Sequence, residues 1–596
     1  MSSDLFQLLR RTVSIGGRRT AVAMCAVTAY ALATHTLAPH AGAQDAPKPQ
    51  PVAAAPAGRT ALPLKLAPRP TKGAITADDL MTRLYIFADD SLMGRDAGTE
   101  GSFKATELLA REAKRLGLQP AGDSGTYFQT LPLKSKKVDP MSAFIAGGAS
   151  LELGKEWGFK SGSSMTFTNT PVVFGGVLGE ASLLPAEAVA GKLVVLTVPL
   201  SQSGVQLAVE GDIPVPAGAA GVVLLVPAQA AGVFGYVLRP GVYVDDPAFG
   251  GARLFVSSAA AGKLFTAPVS ELTPGAVGTA VNVTAILDVT VSPFPARNVV
   301  AILPGSDAKL KHQYVAVGAH SDHVGMARRA VDHDSVLIFN RIVRPGGAEN
   351  DDQMGNAEQF TQINAELAEM RKASPTRRDS IFNGADDDGS GSVAVQEIAE
   401  LLSTMKTKPK RSTLFVWHVG EEKGLWGSKF FTEHPTVSRD SIVAQLNIDM
   451  VGRGSATDLT GTSKEGAELR GGPDYLQLVG SRRLSTELGD LVESVNTAKK
   501  HNLVFDYGMD ANAHPMNIYC RSDHYEYAKW GVPVTFFTTG GHSAYHQLTD
   551  EPQYIDYPHM ERVAKLIADV ALDLGNRASR PVVNQPKLDP RGSCKQ

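Results

Sequence analysis

Cysteine is scarce in this chain. There are three among 596 residues, and none has the spacing of a zinc knuckle. Charge of one sign is also missing. A formal net charge of −3 gives no electrostatic case for a nucleic-acid partner or an acidic membrane surface. The apolar stretch Thr20–Thr34 is too short for a comfortable membrane span. What the chain does have is length and apolar content. At 43% hydrophobic residues it can build real cores, and 596 residues predict two or three domains.

The first 43 residues read as an export signal. Arg10, Arg11, Arg18 and Arg19 form a basic n-region, Thr20–Thr34 the apolar part, and Ala41-Gly42-Ala43 a small-residue cleavage site. The expected location is therefore periplasmic or extracellular, with no stable membrane span after signal removal. Cys25 leaves with the signal. Cys520 and Cys594 remain in an oxidising compartment, and the sequence leaves open whether they pair. Residues 44–75, rich in Pro and Ala, predict a linker.

Order is predicted from Thr76, an N-cap before helical spacing in ADDLMTRLYIF. A second helix over about Gly101–Leu116 places Ala105, Leu108, Leu109 and Leu116 on one face, and Gly117 ends it. Residues 76–150 are assigned to the first part of the main domain. From Leu151 to about 292 charge thins out and short β-rich runs appear (Pro171–Phe174, Lys192–Val198, Gly221–Val226, Arg253–Val256, Val281–Val289), which predicts a β-rich insert without chemistry of its own. Over 293–578 strand-length apolar runs alternate with helical patterns. Arg297–Leu303, Tyr314–Gly318, Leu414–His418, Val443–Ile448, Tyr475–Val479 and Val534–Phe537 predict an α/β sheet with helices on both faces, and 579–596 form a C-terminal tail.

Five separated motifs carry hard oxygen or imidazole donors: GAHSDHVG (Gly318–Gly325), GADDDGSG (Gly384–Gly391), the pair Glu421-Glu422, NIDMVG around Asp449, and AYHQLTD around His546. They fall at the carboxyl ends of predicted strands, where open α/β sheets place their sites. A two-metal hydrolytic centre needs such a set, assembled by the fold from distant segments.

These motifs, in this order, resemble the M28 family of zinc metallopeptidases, the aminopeptidase Y type with an inserted protease-associated (PA) domain. The likeness runs from about Thr76 to Gly575. It includes GRDAGTEG (Gly94–Gly101), GLQPAGD (Gly117–Asp123), and the runs AGKLVVLTVP and AAGVVLLVP, which look like PA strands. The resemblance implies a three-layer α/β/α zinc-exopeptidase fold with a mixed central sheet and an inserted PA-like domain. It implies two Zn²⁺ ions, with Co²⁺ or Mn²⁺ as substitutes, bridged by Asp387. His320 and Asp449 would complete one position, Glu422 and His546 the other. Carboxylate and imidazole without thiolate suit that metal.

Family spacing selects Asp387 over Asp386 and Asp388 and implies a cis peptide after it. Glu421 would be the general base. Asp322 would orient the His320 imidazole from behind, and Tyr545 would steady the tetrahedral oxyanion. Ser522-Asp523-His524 reads as supporting. His312, His323, His418, His501, His514 and His542 read as surface or packing histidines.

One departure is an excursion of polar residues, about 326–378, between His320 and Asp387, with one predicted helix (Ala357–Lys372) and a GGAEND turn. It is either a surface excursion or a lid. The expected activity is removal of N-terminal residues from peptides. The alternatives are a glutamate-releasing carboxypeptidase, a non-catalytic receptor-like relative and a one-zinc glutaminyl cyclase. Oligomeric state is not encoded legibly.

Overall fold

Nine strands form the sheet on which the chain is organised: β1 (Gln119–Pro120), β2 (Phe128–Thr130), β3 (Arg297–Leu303), β4 (Tyr314–His320), β5 (Ser412–His418), β6 (Ile442–Ile448), β7 (Tyr475–Val479), β8 (Val504–Asp506) and β9 (Val534–Thr538). The computed structural model describes residues 62–180, 184–209, 213, 215–246, 252–590, 592, 594 and 596. The sheet order is β1-β3-β5-β4-β6-β9-β7-β8, with β2 also on β3. β5, β4, β6 and β9 run parallel to their neighbours, while β3 and β7 are antiparallel to β5 and β9. The sheet is therefore mixed. In register, His320 lies opposite His418 and Asn447 opposite Phe536, so the carboxyl ends of four parallel strands share one edge.

Alternation in β3 shows why the layers form. Val299 and Ala301 face one core with Trp417, Ile398 and Val563, while Val300 faces another with Phe431, Tyr527 and Tyr519. The first core is covered by helices Ala77–Phe87, Gly391–Thr404, Thr486–Ala498 and Tyr557–Asn576, the second by Trp426–Glu433 and His524–Ala528. This is the three-layer α/β/α arrangement. Thr76 caps the first of these helices by accepting from the Asp79 backbone N–H.

The β-rich insert begins earlier than its composition suggests. Strands Ala143–Ala146 and Ala149–Leu151 already belong to its eight-stranded sheet, in the order 149–151, 143–146, 277–285, 165–177, 193–197, 221–226, 253–257, 157–160. Before them Leu133–Val138 pairs with Gly241–Val244 and Leu287–Val291 in a three-stranded ribbon. That strand, LKSKKV, is largely polar because it is only partly buried, and this hid the boundary near Leu133. The ribbon packs Leu133 and Val244 against Val419, Trp426 and Phe430 of the peptidase-like part.

The excursion is more structured than expected. Met326–Asp332 pairs antiparallel with Arg378–Ile381 and closes its base. Ala357–Ala373 is helical, and so is His333–Val343, which was not anticipated. Ile338, Val343 and Ile363 give the two helices a small core of their own.

The ends also differ from expectation. The leader predicted over 1–43 and most of the predicted linker lie outside the described residues. Within the described part of the linker, Leu62 and Leu66 pack on the main core and Thr71 donates to Glu400 at 2.6 Å, so 62–75 is docked although it has no regular structure. Among the described residues no helix is long and apolar enough to cross a membrane. In the tail, the Ala513 and Tyr519 backbone N–H groups donate to Gln596, and Cys594 is disulfide-bonded to Cys520, 74 residues away in sequence.

Closing a loop of that size restricts the unfolded chain, which is worth about 2–4 kcal/mol. Cys594→Ser should lower the denaturant midpoint of the peptidase-like part correspondingly under oxidising conditions. Addition of a reductant should erase the difference from wild type.

Candidate metal centre

Three consecutive aspartates precede helix Gly391–Thr404, and their surroundings separate them. Asp386 is consumed by structure: it accepts from the Gly452 N–H at 2.6 Å and pairs with His542 Nε2 at 3.0 Å. Asp388 accepts from three backbone N–H groups, those of His320, Gly391 and Met450. Burial, together with the neighbouring Asp449 charge, pushes its carboxyl well above the ordinary range. Asp387 instead turns its two oxygens towards two imidazoles. Oδ1 is 3.1 Å from His320 Nε2, and Oδ2 is 2.9 Å from His546 Nε2. The peptide joining Asp387 to Asp388 is cis.

On one side of Asp387, His320 Nε2 also lies 3.6 Å from Asp449 Oδ1. On the other, His546 Nε2 is 2.9 Å from Glu422 Oε2. The five residues expected as ligands are therefore drawn together, all with buried side chains. Donor atoms around a tetrahedral zinc with bonds near 2.1 Å stand roughly 3.4 Å apart. The separations here bracket that value. Despite these contacts, His320 Nε2 and Asp387 Oδ2 find no well-aligned hydrogen-bond partner among the described residues, although both are sealed from solvent. A cationic metal satisfies such atoms, so the donor set fits zinc.

Charge explains the same cluster. Against burial, which would raise it, the His320 and His546 imidazoles hold Asp387 well below the usual carboxylate range. Burial alone would lower His546, but Glu422 and Asp387 outweigh it and hold that imidazole up at about 9. Protons thus occupy the positions that a cation would take, and metal binding must displace them.

Two turns deliver the remaining groups. Glu421 and Glu422 open a short helical turn after β5, with Gly420 at φ 75° to reverse the chain. Burial, with His320 partly opposing it and Glu422 adding to it, pushes the Glu421 carboxyl well above its ordinary range. His546 takes φ 52°, a left-handed conformation uncommon for a residue other than glycine. Tyr545 stacks on His546 at 4.1 Å between ring centres.

Asp322 meets His320 through two groups. The nearest group to His320 Nδ1 is the backbone carbonyl of Asp322 at 3.2 Å, and the carboxylate is farther away at 3.7 Å. That carboxylate accepts from the Glu421 backbone N–H at 3.1 Å. It ties the base candidate's turn to the histidine loop. Ser522 is a supporting residue: its hydroxyl donates to Asp449 Oδ2 at 2.7 Å and receives from Asn447 Nδ2 at 2.9 Å.

The sequence reads His323 as a surface or packing histidine. It is buried at the centre instead, with Nδ1 2.9 Å from Glu422 Oε1. His312 is exposed; His418, His514 and His542 are buried, and His501 pairs with Asp569. The signal for His323 was its position three residues after His320 on one short loop.

The GRDAGTEG motif acquires a physical role. The Arg95 guanidinium, 1% exposed, donates to the carbonyls of Phe87, Ser321, Asn383 and Gly384. It clamps the His320 loop to the Asp387 loop. Burial lowers it to about 10, with Asp550, Asp322, Asp387 and Asp388 opposing. Asp96 pairs with Lys423 at 2.7 Å and fastens the Glu421-Glu422 turn to the same motif. Gly94, at φ 67°, admits no side chain, because a Cβ would stand 2.1 Å from the Gly325 carbonyl.

Arg95→Met would strand four buried carbonyls at roughly 1–3 kcal/mol each where water cannot reach. We expect a loss of stability of about 3 kcal/mol or more, measured by chemical denaturation. Metal affinity should fall with it in an equilibrium titration, because two donor loops share this one clamp.

Residues 298–571 match the profile of Peptidase family M28. Leupeptin-inactivating enzyme 1 of Streptomyces exfoliatus is 40% identical over 77 residues, 12% of this chain and 18% of that protein. A probable leucine aminopeptidase of Arthroderma otae is 27% identical over 199 residues, 32% of this chain and 48% of that protein. The chain thus spans less than half the length of each. A solved aminopeptidase from Aneurinibacillus sp. strain AM-1 aligns with TM-score 0.43 and 16% identity, covering 86% of this chain and 97% of that one. The matched segment, less than half of the chain, holds every donor of the centre, and over that segment the chain is similar to peptidase family M28.

Proposed function

We propose that the chain is an exported dizinc aminopeptidase that removes N-terminal residues from peptides, with the β-rich insert as a PA-like domain. The observation that carries the two-metal reading is the divided carboxylate of Asp387, one oxygen towards His320 and the other towards His546. His320, Asp449 and Asp387 would hold one zinc, and Glu422, His546 and Asp387 the other. When bound, the ions would polarise the scissile carbonyl and make water acidic enough to attack near neutral pH.

The chain's own groups do the rest. Glu421 takes the proton from the attacking water and delivers it to the leaving amine; its raised affinity for a proton suits that shuttle. Asp322 holds the Glu421 backbone in place. Tyr545 serves as the donor to the oxyanion that develops on the carbonyl carbon's oxygen.

The choice of the amino over the carboxyl terminus rests on charge. Arg521 is paired with Glu349 from the excursion at 2.5 Å. Its charge is thereby matched, so this arginine offers no unpaired cation to a substrate's carboxyl terminus, while Glu421 beside it favours a cationic terminus. Aminoacyl anilides should be hydrolysed, while N-blocked peptides with a free carboxyl end should not. The opposite pattern would establish the carboxypeptidase reading.

Glu421→Gln keeps size and hydrogen bonding but cannot accept a proton. Its kcat should fall roughly 10²–10⁴-fold with zinc content near wild type and KM little changed. Glu422→Gln should instead weaken zinc binding, and excess zinc should restore part of its rate. Loss of zinc in the first variant, with zinc and turnover retained in the second, would reverse the two roles.

A further inference from the structure

His323 belongs to the same centre but has no part in the five-ligand scheme. Its side chain is fully buried, and Nδ1 lies 2.9 Å from Glu422 Oε1 and 3.7 Å from Asp387 Oδ2. The ring meets the His546 ring edge to face at 5.5 Å. His323, Asp387, Glu422 and His546 each offer a donor atom within 4.8 Å of the others. Those separations suit four donors around one zinc, whose ligand atoms stand roughly 3.4 Å apart.

The backbone is shaped for this ring. A Cβ on Gly384, at φ 55°, would lie 2.5 Å from His323 Cγ and 2.6 Å from Cδ2. Only glycine leaves room there, and the imidazole is wedged between the Asp387 loop and Glu422. Its Nε2 is buried without a hydrogen-bond partner among the described residues, so the polar contacts of this ring are all on the Nδ1 side, towards Glu422 and Asp387.

We propose that His323 is a fourth protein ligand at the Glu422–His546 position. This rests on the two-metal reading above. It makes the two positions unequal. The one with His323 is closed by protein donors (Asp387, Glu422, His546 and His323), as in a structural zinc site, while the His320–Asp449 position has three and stays open to substrate. The first zinc then fills the closed position, and the second, weaker one completes the working enzyme.

The test is a competitive zinc titration of the metal-stripped full chain, with X-ray absorption at one equivalent of zinc to count imidazoles. Wild type should show two imidazoles on the first zinc. His323→Ala should show one and lose first-equivalent affinity beyond the roughly 10–100-fold that follows loss of a supporting partner alone. His323→Asn supplies a hydrogen-bond donor for Glu422 in place of the ring, and it should not restore affinity if the ring is a ligand. One imidazole in wild type, or recovery of affinity by His323→Asn, would overturn the assignment. Absence of zinc uptake by wild type would instead sink the metal reading itself, and this proposal with it.

Discussion

Burying many carboxylates in one place is the constraint on which this structure depends. Asp322, Asp386, Asp387, Asp388, Asp449, Asp523 and Asp550 are all buried at or beside one edge of the central sheet. Each ionised carboxylate loses several kcal/mol of hydration on burial unless a partner compensates. Part of that compensation is fixed: backbone N–H groups for Asp386 and Asp388, His542 for Asp386 and Lys423 for Asp96. The remainder converges on Asp387, Glu422 and Asp449. There the cationic groups in closest contact are imidazoles that would themselves have to carry protons, with the Ser522 hydroxyl added on Asp449. A doubly charged cation resolves the conflict better than protons do. The acidity of the site is thus a reason for metal, and the fold is built to withstand it until metal arrives.

Parallel strands make the convergence possible. Because β5, β4, β6 and β9 end on one edge, turns separated by more than a hundred residues in sequence come within reach of each other. Turns alone would not fix donor positions to a few tenths of an ångström. Arg95 and Asp96 supply that rigidity from a motif that lies outside the sheet and offers no ligand. Their role is to hold two donor loops and the glutamate turn as one body.

Much of this was legible because strand and motif obey simple rules. The apolar runs Arg297–Leu303, Gly221–Val226 and Tyr475–Val479 are buried strands with the expected limits. The choice of Asp387 among three aspartates rests on resemblance; in the structure Asp386 and Asp388 accept from backbone donors and Asp386 also pairs with His542, while Asp387 faces His320 and His546, and Asp388 too lies close to His320 and Asp449. The failures are equally physical. LKSKKV hid a partly buried ribbon strand behind lysines, and HDSVLIFNRIV hid a helix inside a charged excursion. His323 was dismissed because sequence cannot tell a packing histidine from one whose ring is aimed at a carboxylate. Docking of 62–75 is not legible because its anchors, Leu62, Leu66, Ile75 and Thr71, follow no helical or strand period.

The excursion between His320 and Asp387 shows how an added segment can bear on the centre without supplying a donor. His333 pairs with Glu551 at 2.8 Å, Asn340 with Gln547 at 3.1 Å, and the Ala348 N–H donates to the Tyr545 carbonyl at 3.1 Å. All three attachments fall on the segment that carries His546, and Arg377 adds a further contact to Glu551. A freely swinging lid would be joined through a narrow hinge and few buried contacts. This segment is instead closed at its base by a strand pair and fastened along its length. It therefore acts as a wall, and its Glu349 meets Arg521 beside the donor set. On that argument the segment bounds the centre by fixed form and charge.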